Sequence, residues 1–220
     1  MAGRILEMLL DRLEVKEAGG GKTHGQHVIM TSLVWPRPRI AERISLKTVD
    51  LKGKAVELRK AAWTDRIVFK EVIEGPFGIE FGVTERMAES QFTEFVRFLA
   101  SSMMKLAGSE AEDVVTNAVL GGLVKVPFQF LSKMIAGFGE EGPKIIASGS
   151  LDLHSEKTWN LSSQKRSAAA KTFKVPLTVP EAIYKITRRS KAGRFRTRRR
   201  KLIEAGADNG VIIFTGKVYK

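Results

Sequence analysis

Phe77, Ile79, Phe81 and Val83 alternate with Gly78, Glu80 and Gly82. A repeat of two puts the four large apolar residues on one face of an extended chain, the pattern of a strand half-buried against a core. Much of the preceding sequence reads the same way. Val28–Trp35 is β-branched and apolar and stops at Pro36, Arg43–Val49 alternates through Ile44 and Leu46, Lys54–Lys60 through Val56 and Leu58, and Arg66–Ile73 carries Ile67 and Phe69 on one side. Arg4–Val15 fits a helix through Ile5, Leu6, Leu9, Leu10 and Leu13, or a strand through Leu9, Leu13 and Val15 if Asp11 is set aside. The glycines at 19–21 and the β-like run after them favour the strand, so about six strands are expected before residue 84.

The period changes from Thr84 to Phe138. Phe92, Phe95, Val96, Leu99, Met103 and Leu106 recur on one face of a 3.6-residue helix. Thr84 suits its N-cap and Gly108 its end. Ser109 and Glu112 form a capping box for a second helix, from about Glu110, whose broad face includes Val115, Val119, Leu123, Val126 and Ile135. Pro127 predicts a kink or break in it. The expected unit is a helical hairpin packed on a sheet. The uncharged run from Val114 to Val124 is ended by Lys125, too short for the roughly 20 apolar residues of a membrane-spanning helix.

Beyond the helices, Lys144–Leu153 reads as a strand bent at Gly149. Ser162–Lys171 reads as a loop, and Phe173–Leu177 as an edge strand marked by Pro176 and Pro180. Asn209-Gly210 is a turn pair before a last strand, Val211–Tyr219. The expected fold is a single domain over 1–220, an antiparallel β-sandwich with the helical hairpin of 84–138 as an insertion. In strand count it resembles the eight-stranded lipid-binding C2 sandwich. Many C2 domains hold calcium through acidic loop residues. The loop Glu17–Gln26 has one acid, so no calcium is expected.

The chain contains no cysteine, which excludes disulfides, thiol chemistry and Cys-ligated zinc. Glu7, Asp11 and Arg12 interrupt the apolar start, so the N-terminus does not read as a signal peptide; a cytoplasmic protein, or one exported by a signal-free route, is expected. His24 and His27 are spaced H-x-x-H in a glycine-rich loop; metal ligation needs a third ligand, which Asp11 or His154 could supply, but nothing in the sequence places either nearby, and a surface loop is expected. Gly21-Lys22-Thr23 lacks the first glycine of a phosphate loop, since position 16 is Lys, and a strand-like run rather than a helix follows. No G-x-S-x-G elbow is present. The expectation is a non-enzymatic protein without metal or cofactor.

The net charge of +13 is concentrated. Residues 1–150 hold 20 Lys/Arg against 19 Asp/Glu, whereas 151–220 hold 17 against 5. Within the latter, residues 188–201 form an acid-free basic loop carrying Arg188, Arg189, Lys191, Arg194, Arg196, Arg198, Arg199, Arg200 and Lys201 around one aromatic, Phe195. These ten residues are the candidate binding site. Such a run repels itself and suits an anionic partner: nucleic acid, a phospholipid surface or an acidic protein. The sequence thus points to a polyanion-binding or assembly domain acting through its basic loop. The alternative is a structural subunit or adaptor, homo-oligomeric or not, that uses the apolar helical hairpin as a protein–protein interface.

Overall fold

A computed structural model of the chain describes residues 3–19, 25–35, 43–51, 53–97, 123–124, 144–161, 167, 169–191 and 194–220, with backbone alone at 43–44, 123–124, 186–191 and 194–196. The strands, in chain order, are β1 (Arg4–Val15), β2 (His27–Val34), β3 (Arg43–Val49), β4 (Ala55–Glu57), β5 (Ile67–Ile73), β6 (Pro76–Thr84), β7 (Leu123–Val124), β8 (Ile145–His154), β9 (Lys171–Thr178), β10 (Ile183–Lys191), β11 (Arg194–Ile203) and β12 (Asp208–Tyr219). Helix α1 spans Trp63–Arg66, helix α2 residues 89–97, and a 3₁₀ turn Lys157–Trp159.

The sandwich expectation is overturned. The order β4-β1-β12-β9-β8-β6-β2-β3-β7 is one continuous sheet, with β5 also paired to β1. Running from β5 through β1 and round to β3, it curls into a nearly closed eight-stranded barrel. Lys47 of β3 reaches across the remaining seam and donates from Nζ to the carbonyl of Thr64, just ahead of β5, at 3.5 Å. A sandwich would leave two sheets facing each other. Here β8 and β9 join the two halves through the pair Ser148↔Thr178. Gly149 makes that junction possible, because a Cβ there would lie 2.5 Å from the carbonyl oxygen of Pro176. The barrel interior is filled by side chains, as expected at this strand number. Phe81 of β6 meets Phe214 of β12 at 5.3 Å between ring centroids, so both halves contribute to one core. Phe214 stacks on Phe173, Phe173 meets Trp159 edge-on, and Trp159 donates from Nε1 to the Gly216 carbonyl at 3.1 Å.

The strand reading of Arg4–Val15 holds, but its phase changes partway. Leu6, Met8 and Leu10 are buried, then Leu13 and Val15, because the register to β12 slips between Leu10 and Arg12. Asp11 is the bulge residue. Its carboxylate takes a charge-assisted bond from Arg66 and a second from Thr215 Oγ1 at 2.7 Å, which compensates its burial. The bulge also marks where β1 changes partner on its other edge, from β5 over residues 4–9 to β4 over 12–14.

The helical-hairpin expectation is corrected in the part that is described. Thr84 does not cap a helix: it ends β6, and its Oγ1 accepts the N–H of Val28 at 3.0 Å. The helix starts at residue 89, where the Gln91 side chain accepts the N–H of Ala88 at 3.3 Å, one half of a capping box. Phe95 is fully buried while Glu94 and Arg97 are exposed, as the apolar stripe requires. Leu123–Val124, placed by the sequence inside the second helix, instead pair with Ser45 and Ile44 of β3. The rest of 98–143 lies outside the described residues. Val28, Met30, Met87 and Phe95 are buried yet do not belong to the barrel core.

The basic loop is corrected as well. Residues 188–191 and 194–201 belong to β10 and β11, a separate two-stranded antiparallel sheet. The expected polyanion-binding loop is therefore a pair of hydrogen-bonded strands. Among the described residues no helix is long and apolar enough to cross a membrane.

Candidate functional site

The β10–β11 ribbon is inserted between β9 and β12, at the barrel end where β1 finishes and β12 begins. Its base is fixed. Val179 donates its N–H to the Ala207 carbonyl at 2.9 Å, and Gly206 donates to the Val179 carbonyl at 2.7 Å. Ile183 is buried in the barrel core, with Leu202 and Ile203 packed against it. Beyond that base nine register pairs extend from Ile183↔Ile203 to Lys191↔Arg194, about 30 Å at roughly 3.3 Å per residue.

The register sorts the basic residues. In an antiparallel ladder alternate pairs share a face. One alternating set is Lys185↔Arg200, Thr187↔Arg198, Arg189↔Arg196 and Lys191↔Arg194, in which seven of the eight positions are basic. The other is Tyr184↔Lys201, Ile186↔Arg199, Arg188↔Thr197 and Ser190↔Phe195, which mixes charge with the ribbon's bulky residues. Of the ten residues picked from the sequence, Arg194, Arg196, Arg198, Arg200, Arg189 and Lys191 fall together in the first set. Arg188, Phe195, Arg199 and Lys201 fall in the second.

The described side chains differ between the two sets. Arg199 lies over the Tyr184 ring at 3.7 Å, and Lys201 is held by Glu204 at 2.8 Å, a contact that raises the lysine pKa and lowers that of the glutamate. Lys185, Arg198 and Arg200 are exposed and make no ion pair among the described residues. Sequence reasoning missed Lys185 and Tyr184, which precede the dense run. The signal available was the β-prone stretch Ile183–Thr187, which continues directly into the charges.

The same barrel end carries a second polar cluster. His27 is buried, its Nδ1 donates to the Thr84 carbonyl at 2.9 Å, and Arg86 reaches Asp50 at 3.3 Å. Burial lowers the His27 pKa, with Arg86 adding to the effect, while the Thr84 bond and Asp50 oppose it. Glu85 is shifted up by burial, against the pull of Lys144. Beside this cluster a cleft of about 720 Å³ opens between the start of α2 and β2–β3, with Val28, Thr48, Asp50, Met87 and Phe92 in its wall.

The other sequence candidates have structural partners. His27 is committed to Thr84, and His24 and Gly21-Lys22-Thr23 lie outside the described residues. His154 Nδ1 accepts the N–H of Glu156 at 3.2 Å within a turn. Asp11 is taken by Arg66 and Thr215. No protein family profile matches this chain, and no curated protein shows significant similarity to it.

Proposed function

We propose that this protein is a non-enzymatic binding or assembly domain that contacts an anionic partner through its β10–β11 ribbon. The observation that carries the reading is the register: seven of eight positions in one alternating set are Lys or Arg, and no acid lies between Ile183 and Ile203. Arginine dominates the set, and its planar fork pairs bidentately with carboxylate and phosphate, where lysine acts as a point charge. The barrel is the scaffold, and the fixed base at Val179, Ile183 and Ala207 anchors the ribbon to it.

The test changes Arg194, Arg196, Arg198, Arg199 and Arg200 together to Gln in the full chain. Binding is measured across a salt series to labelled duplex DNA, to phosphatidylserine vesicles and to an acidic peptide. The wild type is expected to bind at least one of them, with affinity falling as salt rises, and the variant to lose about tenfold or more at low salt with a flatter salt dependence. Unchanged binding by the variant, or no binding of any probe at low salt, contradicts the reading.

A further inference from the structure

Three register pairs of the ribbon set cation against cation: Lys185↔Arg200, Arg189↔Arg196 and Lys191↔Arg194. Like charges directly opposite each other destabilise a sheet. A lone two-stranded hairpin has little stability of its own in water. The described residues bring no carboxylate to the exposed members of this set, Lys185, Arg198 and Arg200, whereas Arg199 and Lys201 in the other set have Tyr184 and Glu204. An anion supplied by a partner would relieve this repulsion.

The spacing narrows its chemistry. The cationic positions recur at every second residue, about 6.7 Å apart along the ribbon at roughly 3.3 Å per residue. A polypeptide strand bearing Asp or Glu at every second position has the same repeat, because it is built on the same backbone. Lipid headgroups have no fixed repeat, and a DNA strand, whose every second phosphate falls at about 6.8 Å along the axis, matches the spacing but has no peptide N–H and C=O groups to pair with a sheet edge. Among the described residues the sheet contains β10 and β11 alone, so each presents an outer edge to which a strand can add. Resting on the ribbon's being the anion-binding element, the geometry points to an acidic β-strand of another protein as the partner, with carboxylates at alternate positions, added to a ribbon edge so that they fall beside the cationic set.

The experiment uses the full chain and fluorescence anisotropy with two labelled peptides of identical composition. One alternates Glu and Thr; the other carries all its Glu residues before its Thr residues. A third probe is the alternating peptide with its edge-facing amides N-methylated. The alternating peptide is expected to bind about tenfold or more tighter than the block peptide. N-methylation and the double change Lys185→Gln with Arg200→Gln are each expected to weaken it, while the barrel's thermal transition is unchanged in the variant. Equal binding of the alternating and block peptides, or of the methylated and unmethylated ones, overturns the strand-addition inference and leaves the anion-binding reading standing. Binding of duplex DNA or anionic vesicles with neither peptide bound does the same. If no anionic probe binds at low salt, both fall.

Discussion

Asn209 Nδ2 donates to the carbonyl of Ile146 at 2.7 Å, tying the start of β12 to the start of β8 across the end of β9. The same nitrogen donates to the Glu17 carbonyl at 3.0 Å, and Oδ1 accepts the Glu17 N–H at 2.8 Å. One fully buried side chain thus joins β12, β8 and the chain leaving β1, at the end of the barrel where the ribbon emerges. Replacing it with Ala removes the partner of one buried and two part-buried backbone groups, at about 1–3 kcal/mol for each group left unsatisfied. Allowing for relaxation and water entry, Asn209→Ala is expected to lower stability by about 3 kcal/mol in denaturant titration. A loss under about 0.5 kcal/mol, the range of a surface change, would show that this staple is dispensable.

Gly149 and Gly78 provide a matched pair for the barrel junction. A Cβ at Gly149 meets the Pro176 carbonyl at 2.5 Å, whereas one at Gly78 meets nothing closer than 3.6 Å. Gly149→Ala is expected to cost about 2 kcal/mol or more, because backbone must move to relieve the clash, as in an overpacked core. Gly78→Ala should stay within about 0.5 kcal/mol of the parent. Similar melting temperatures for the two variants would contradict the close approach of β8 and β9.

The buried His27 predicts an acid-sensitive fold. Its folded-state pKa is lowered, so the unfolded chain takes up a proton first as pH falls. By linkage, stability is lost as pH drops below about 6.5, the unfolded value, down through the folded one. Glu80 and Glu85 are shifted up by burial and act in the opposite sense, costing stability as pH rises above the usual carboxylate range. The comparison of wild type with His27→Gln isolates the histidine: the stability difference between them should shrink below pH 6.5. A difference that is constant from pH 7.5 to 5 would contradict the assignment.

Phe95 tests the burial of the apolar side of α2. It is fully buried, but outside the barrel core. Phe95→Ala is expected to cost about 3–5 kcal/mol, the usual loss for a buried phenylalanine, whereas Glu94→Ala on the exposed side of α2 should be near neutral. Equal effects would place the stripe at the surface.

Much of the strand pattern was legible because alternation survives wherever one face is buried. Phe77, Ile79, Phe81 and Val83 all point inward as their spacing requires. The phase of β1 was not legible, since a bulge at Asp11 moves the buried set from Leu10 to Leu13, and a repeat of two cannot show where one residue has been added. Asn209-Gly210 has the composition of a turn, yet it sits in β12, with Gly210 at a φ of 118° beside a register slip. Barrel and sandwich share their strand count. What separates them is contact between positions far apart in sequence, such as Gly149 with Pro176 and Asn209 with Ile146. The basic residues were found from composition alone, but their sorting into two alternating sets depends on the β10–β11 register. Charge density in that run hides the strand alternation that would have revealed it.

The most direct measurement fixes that register. With no cysteine in the chain, Thr187→Cys and Arg198→Cys can be introduced together and oxidised, and compared with the off-register pair Thr187→Cys and Arg199→Cys. Opposed residues of an antiparallel ladder have Cα atoms about 4.5–5.5 Å apart, within disulfide reach. The paired ribbon predicts rapid closure of the 187–198 disulfide, little of 187–199, and anionic-ligand binding retained in the oxidised protein to within the loss of one arginine. Closure of both at similar rates would mean that these residues form a mobile loop, and the ordered basic face would be withdrawn.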